Sequence, residues 1–109
     1  MMLGEAIEKI VPSDRIVIIN AAGQVIFRGF AANADSAGIR KTRRVKRYGI
    51  GFETYKATEK MWDWSKADEL PQQVPVEQFG EYKVGELKHI LYIRIELDNE
   101  FTEGREDGK

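Results

Sequence analysis

The sequence predicts an α+β fold: a small, mainly antiparallel curved sheet, or a partly closed barrel, carrying a short N-terminal helix. Three observations predict it. Leu3, Ala6, Ile7 and Ile10 recur at helical spacing ahead of Pro12. Two β-rich segments, Asp14 to Asn20 and Gln24 to Ala31, flank the turn Ala21-Ala22-Gly23. A long alternating segment runs from Leu87 to Asp98.

The helix is expected from about Met2 to Ile10, with Glu5, Glu8 and Lys9 turned to water. Pro12 stops it, because proline lacks an N–H and disfavours helix at the residue before it. So short a helix is marginal alone and has to pack on something. The run Asp14 to Asn20 is too short and too β-branched for a helix and reads as a buried strand. Gly23 suits the positive φ of a tight turn. Beyond it, Val25 and Phe27 share one face, and Ile26, Arg28 and Phe30 the other, which makes a hairpin. Residues 31–38 are small and polar and read as a loop or a single helical turn.

From Arg44 to Tyr55 a further strand would set Tyr48, Ile50, Phe52 and Thr54 on one face. Gly49 and Gly51 lie opposite, where glycine permits a bulge or a close backbone approach. A short helix is expected after Trp64, with Ser65 and Asp68 spaced as a capping box and Pro71 closing it. Residues 72–75 read as a linker, and Val76 to Val84 as another strand. The last strand alternates Leu91, Ile93, Ile95 and Leu97 with Tyr92, Arg94, Glu96 and Asp98, the pattern of a half-buried strand with one wet face. Residues 99–109 read as an acidic tail that frays.

At 109 residues the chain is expected to form one domain, residues 1–109. It has no cysteine, which removes disulfides, thiolate nucleophiles and cysteine-based metal sites. The first residues lack the positive start and long apolar core of a secretory signal, and no run approaches the ~20 apolar residues of a membrane span. A cytoplasmic location with no membrane contact is the expectation. Charge is unevenly spread. Residues 38–56 carry seven cations against Glu53 alone, +6, whereas residues 57–109 carry seven cations against thirteen anions, −6. Such a chain can steer a polyanion to one face, or satisfy itself, basic segment against acidic half.

The opening LGEAIEKIVPSDRIVIINAAGQVIFRGFAAN and the late segment VPVEQFGEYKVGELKHILYIRIEL resemble small proteins of phages and other mobile elements in Gram-positive bacteria. The resemblance covers residues 3–33 and 75–97. It implies a small β-rich fold and brings no activity. Residues 31–75, basic stretch included, look like an irregular insertion beside that pattern.

The main functional candidates lie in the basic stretch: Arg40, Lys41, Arg43, Arg44, Lys46 and Arg47, followed by Tyr48 and Phe52. Cations displace condensed counterions from phosphates and aromatic rings stack on unpaired bases, so DNA or RNA is the candidate partner. The competing reading is a solvated segment paired with the chain's own carboxylates. Trp62 and Trp64 are candidate anchors for a protein partner or a second copy, together with Phe30 and Tyr92; otherwise they cover the core. His89, the single histidine, lacks the spacing of a metal or catalytic motif. Glu96, Asp98 and Glu100 would share a strand face, but read as its polar side rather than a cation site. Gly49 and Gly51 lack the rest of a phosphate-binding loop. No cofactor, metal site or enzyme signature is expected; the sequence points to a binding protein.

Overall fold

The computed structural model describes residues 1–61 and 63–99. Its elements are α1 (Leu3–Glu8), β1 (Arg15–Ile19), β2 (Val25–Phe30), β3 (Val45–Lys56) and β4 (Leu87–Leu97), with short 3-10 turns between them. The four strands form one open, mixed sheet in the order β2-β1-β4-β3. β1–β2 and β3–β4 are antiparallel, and β1–β4 is parallel. An α+β fold with a short N-terminal helix is therefore present, and the sheet does not close into a barrel.

The β1–β2 hairpin forms as its residues dictate. Asn20 Oδ1 accepts the N–H groups of Ala22 and Gln24, and Gly23 takes φ +83°. β1 is central and flanked on both sides, so all of Ile16, Val17, Ile18 and Ile19 is buried. Its two faces feed two cores. Ile16 and Ile18 join Leu3, Ile10, Ala31, Ala34, Ile95 and Leu97, while Val17 and Ile19 join Tyr55, Trp64 and Ile90. Burial of each such aliphatic side chain contributes about 1.5–3 kcal/mol before entropy is charged.

β4 departs from the expected single wet face. Ile95 and Leu97 are buried on the helix side, yet Leu91, on that same face, is 63% exposed, and Ile90 is buried on the opposite face. The reason is uneven cover. β1 pairs only with Ile93 to Glu96 of β4, whereas β3 pairs from Leu97 down to Leu87. The lower half is thus a two-stranded ribbon, open on the face that α1 covers higher up.

Residues 31–75 are not irregular throughout, because β3 supplies twelve of them to the sheet. The expected strand at Val76 to Val84 is instead a 3-10 segment, Val76–Glu81, followed by Val84–Glu86. The expected helix after Trp64 shrinks to Ala67–Glu69, and Ser65 caps nothing downstream, since its hydroxyl donates to Asp63 (2.6 Å). Residues 31–37 wind as a 3-10 helix, and residues 100–109 of the anticipated tail lie outside the described residues.

Gly51 meets the close approach its residue type suggested. It faces Tyr92 across the ladder, and that ring lies flat over it: a Cβ at position 51 would sit 2.6 Å from the ring carbons. Nothing lies within 4 Å of a Cβ at Gly49. Gly51→Val should therefore lower stability by about 1 kcal/mol, as the ring swings off Trp64 (centroids 5.8 Å apart). Gly49→Val should be neutral or stabilising, since a β-branched residue favours the strand. Thermal melts of the pair check this; equal losses would contradict the ring's role.

Candidate functional site

The basic stretch is wired into the fold through its backbone. The first helical N–H groups, which a helix cannot satisfy itself, find carbonyls here: Leu3 donates to Arg43 (2.7 Å) and Gly4 to Lys41 (2.9 Å). Val45 N–H donates to the Met1 carbonyl (2.8 Å), and Asp98 N–H to that of Arg44 (2.9 Å). The segment is thereby held between the N-terminus and the end of β4.

Its side chains divide accordingly. Arg43 turns inward, 7% exposed, and Nη2 donates to the Asp98 carbonyl (3.2 Å). It is a structural residue and no part of an open cationic surface. Lys41 reaches Asp35 (2.8 Å), whose hydrogen bond and charge raise the Lys41 pKa. Arg47 approaches Glu96 (3.8 Å), which Arg94 also approaches (3.5 Å). Arg40 and Arg44 are exposed and each has an interaction partner within the protein. Lys46 is exposed at a bulge: Val45 faces Leu97 and Arg47 faces Glu96, so Lys46 has no residue opposite. The run is thus partly offset by the protein's own carboxylates, with most of its side chains still at the surface.

Directly after it, β3 presents Tyr48, Ile50 and Phe52 on the open face, 44%, 72% and 49% exposed. Thr54, the fourth residue expected on this face, is buried and meets His89 Nδ1 through its hydroxyl (2.7 Å). His89 also lies between Phe52 and Phe79, ring centroids 6.3 and 5.5 Å away. Leu91 completes an apolar strip along the ribbon. Tyr48 and Phe52 stand about 13 Å apart at ~3.3 Å per residue.

Trp64 is not an exposed anchor. It is 7% exposed in the second core, so it belongs to the reading in which tryptophan covers the core. Trp62 lies outside the described residues. Phe30 is exposed, whereas Tyr92 is half-buried against Gly51 and Trp64.

The densest polar arrangement was missed in sequence. Glu53, the single anion of the basic region, is buried and receives four donors. Arg28 binds it with both terminal nitrogens (2.9 Å each), Tyr55 donates its hydroxyl (2.7 Å), and Trp64 donates Nε1 (2.9 Å). Arg28 Nε donates to the Trp64 carbonyl (2.8 Å), with the guanidinium 4.1 Å from the Trp64 ring centroid. Burial pushes the Glu53 pKa up, but hydrogen bonds from Arg28 and Tyr55, the guanidinium charge and the indole N–H hold it below the ordinary glutamate range. Burial and then Glu53 push the Tyr55 phenol up. Burial pulls Arg28 down, and Glu53 more than compensates. The one sequence clue was composition: Arg28 is a lone charge in an otherwise apolar strand, and Glu53 the lone anion in β3. Oε1 takes three of the four donors and Oε2 the fourth, so the carboxylate is the hub that joins these side chains.

Among the described residues, no group of three or more acidic, histidine or cysteine side chains could hold a metal ion. No helix among them is long and apolar enough to cross a membrane. No protein-family model, curated protein or solved structure matches the chain.

Removing the Glu53 charge strands a buried guanidinium. Glu53→Gln should cost about 3–5 kcal/mol, read by urea unfolding at pH 7. Because the folded pKa of Glu53 lies below its unfolded value, its stabilisation is present above about pH 4.3 and lost as pH falls through the folded pKa. Wild type should lose stability more steeply than Glu53→Gln below that pH.

Proposed function

We propose that this chain is a non-enzymatic binding module, cytoplasmic and accessory to a mobile element, that takes single-stranded nucleic acid on the open face of β3 and β4. The observation that carries the reading is the placement of half-exposed Tyr48 and Phe52 on one uncovered face, directly after the cationic run. Unpaired bases offer their π-faces to such rings, whereas duplex bases are already stacked. Lys46, with Arg40, Lys41 and Arg44, supplies phosphate contacts beside Tyr48; Arg43 is left out because it is buried, and Arg47 because it shares the face of Glu96, opposite Tyr48. Lys41 would exchange a surface carboxylate for a phosphate, which costs little because exposed pairs contribute roughly 0–1 kcal/mol.

A second reading rests on Ile50 and Leu91, the most exposed residues of the strip. Aliphatic side chains between the rings suit the apolar surface of a protein partner, or a second copy, better than they suit bases. Light scattering at high concentration distinguishes self-association from the nucleic-acid reading.

Fluorescence anisotropy with labelled single-stranded DNA and RNA tests the first reading. Binding should weaken steeply with salt. Tyr48→Ala and Phe52→Ala should each cost about 1–3 kcal/mol of affinity without loss of fold. Lys46→Ala should lower the salt slope by about one. No anisotropy change with either nucleic acid at low salt overturns it.

A further inference from the structure

The opposite face of the sheet holds a feature that the nucleic-acid reading does not use. Where β1 begins beside the end of β2, an open cleft of about 350 Å3 is walled by Arg15, Phe30, Asn33, Met61, Asp63 and Trp64, among others. That volume is in the range of small-molecule sites, roughly 300–1,000 Å3.

Arg15 is the unusual member. Its guanidinium lies over two rings, 5.4 Å from the centroid of Phe30 and 5.8 Å from that of Trp64. It makes no ion pair or hydrogen bond with the other described residues through its side chain, and its Nε is buried without a partner. Arg28, two strand positions from the cleft, shows what this fold does with a guanidinium it means to keep for structure: a bidentate carboxylate and a carbonyl. Arg15 has neither. A cation laid against apolar rings in the wall of a cleft, with its Nε buried and unpartnered, is an anion receptor; the rings beside it favour a flat apolar body.

Asp63 narrows the choice of anion. It lies in the same wall and takes the Ser65 amide (2.9 Å) and hydroxyl (2.6 Å) on Oδ1, hydrogen bonds that favour its ionised form. A fixed negative charge repels a phosphate dianion more than a carboxylate, and one arginine fork matches one carboxylate. We propose that this cleft binds a small monocarboxylate carried on an aromatic or flat apolar body, with the carboxylate on Arg15 and the body against Phe30 and Met61.

The probes are phenylacetate, its neutral isostere phenylacetamide, and inorganic phosphate, titrated into the whole chain and followed by 15N–1H spectra that include the Arg15 Nε–H. Phenylacetate should give saturable shifts at Arg15 and around the cleft with a Kd near the millimolar range. It should bind at least about fivefold tighter than phenylacetamide. Arg15→Lys should weaken it by about fivefold or more, since an ammonium cannot reproduce the fork. Should that variant fail to fold, Phe30→Ala serves instead, because its ring is half-exposed, and it should weaken phenylacetate by a similar factor. Asp63→Asn should improve phosphate binding relative to phenylacetate. Equal binding of the amide, insensitivity to Arg15→Lys or Phe30→Ala, tighter binding of phosphate to the wild type, or no saturable shift up to about 10 mM would each overturn the proposal. None of these outcomes bears on the opposite face, so the two readings fail separately.

Discussion

Glu53 ties together three segments that the chain order keeps apart. Its carboxylate joins β3, where it sits, to β2 through Arg28 and to the connection before β4 through the Trp64 indole. β2 and β3 are opposite edges of the sheet, and two strands lie between them. The Arg28 and Glu53 side chains meet between them on the Val17 and Ile90 side of the sheet, so one buried ion pair ties edge to edge. A buried charge pair is weak evidence of net stability, because desolvation offsets much of the attraction. Its strength here is specificity: only one placement of Trp64 satisfies the indole, the Arg28 Nε and the carboxylate together.

That tie explains why the two faces of the sheet differ. The connection carrying Trp64 and Leu70 is drawn onto the face of Val17, Ile90 and Tyr55, where it closes the second core. The helix, with its few residues, covers the other face only over Ile16, Ile18, Ile95 and Leu97. Tyr48, Ile50, Phe52 and Leu91 are what remains when a six-residue helix meets an eleven-residue strand. An open strip beside a cationic run is therefore a product of unequal element lengths, and it sets where a partner has room to bind.

The parts of this fold legible in sequence were those fixed by neighbours along the chain. The hairpin was readable because Asn20, Gly23 and the flanking β-branched residues act locally, and the helix because its period and Pro12 are local as well. β4 was readable as a strand, yet not its changing faces, because which side is covered depends on how far α1 and β1 reach. Val76 to Val84 has strand-like residues but turns instead, its amides satisfied locally, Gln78 by the Pro75 carbonyl and Tyr82 by that of Phe79. Of the candidate residues, Tyr48 and Phe52 do share an exposed face, while Arg47 beside them turns to the face of Glu96. Arg43 and Trp64 could not be sorted from their neighbours, because burial of one cation among six, or of one tryptophan of two, is a tertiary fact. Arg15 gave no signal at all: its two rings come from β2 and from a connection some fifty residues away.

β3 is an edge strand, and an edge invites growth. Near its end the carbonyl of Thr54 is already taken by the Val74 N–H (2.8 Å), which blocks an added strand there. At its beginning the bulge at Lys46 breaks the flat ladder, and the charges of Lys46 and Arg47 stand on that edge. The charges that suit a polyanion thus also keep like molecules from stacking edge to edge into fibres. The chain has the chemistry of a self-limiting sheet, its outer strand guarded by bulge, carbonyl and charge.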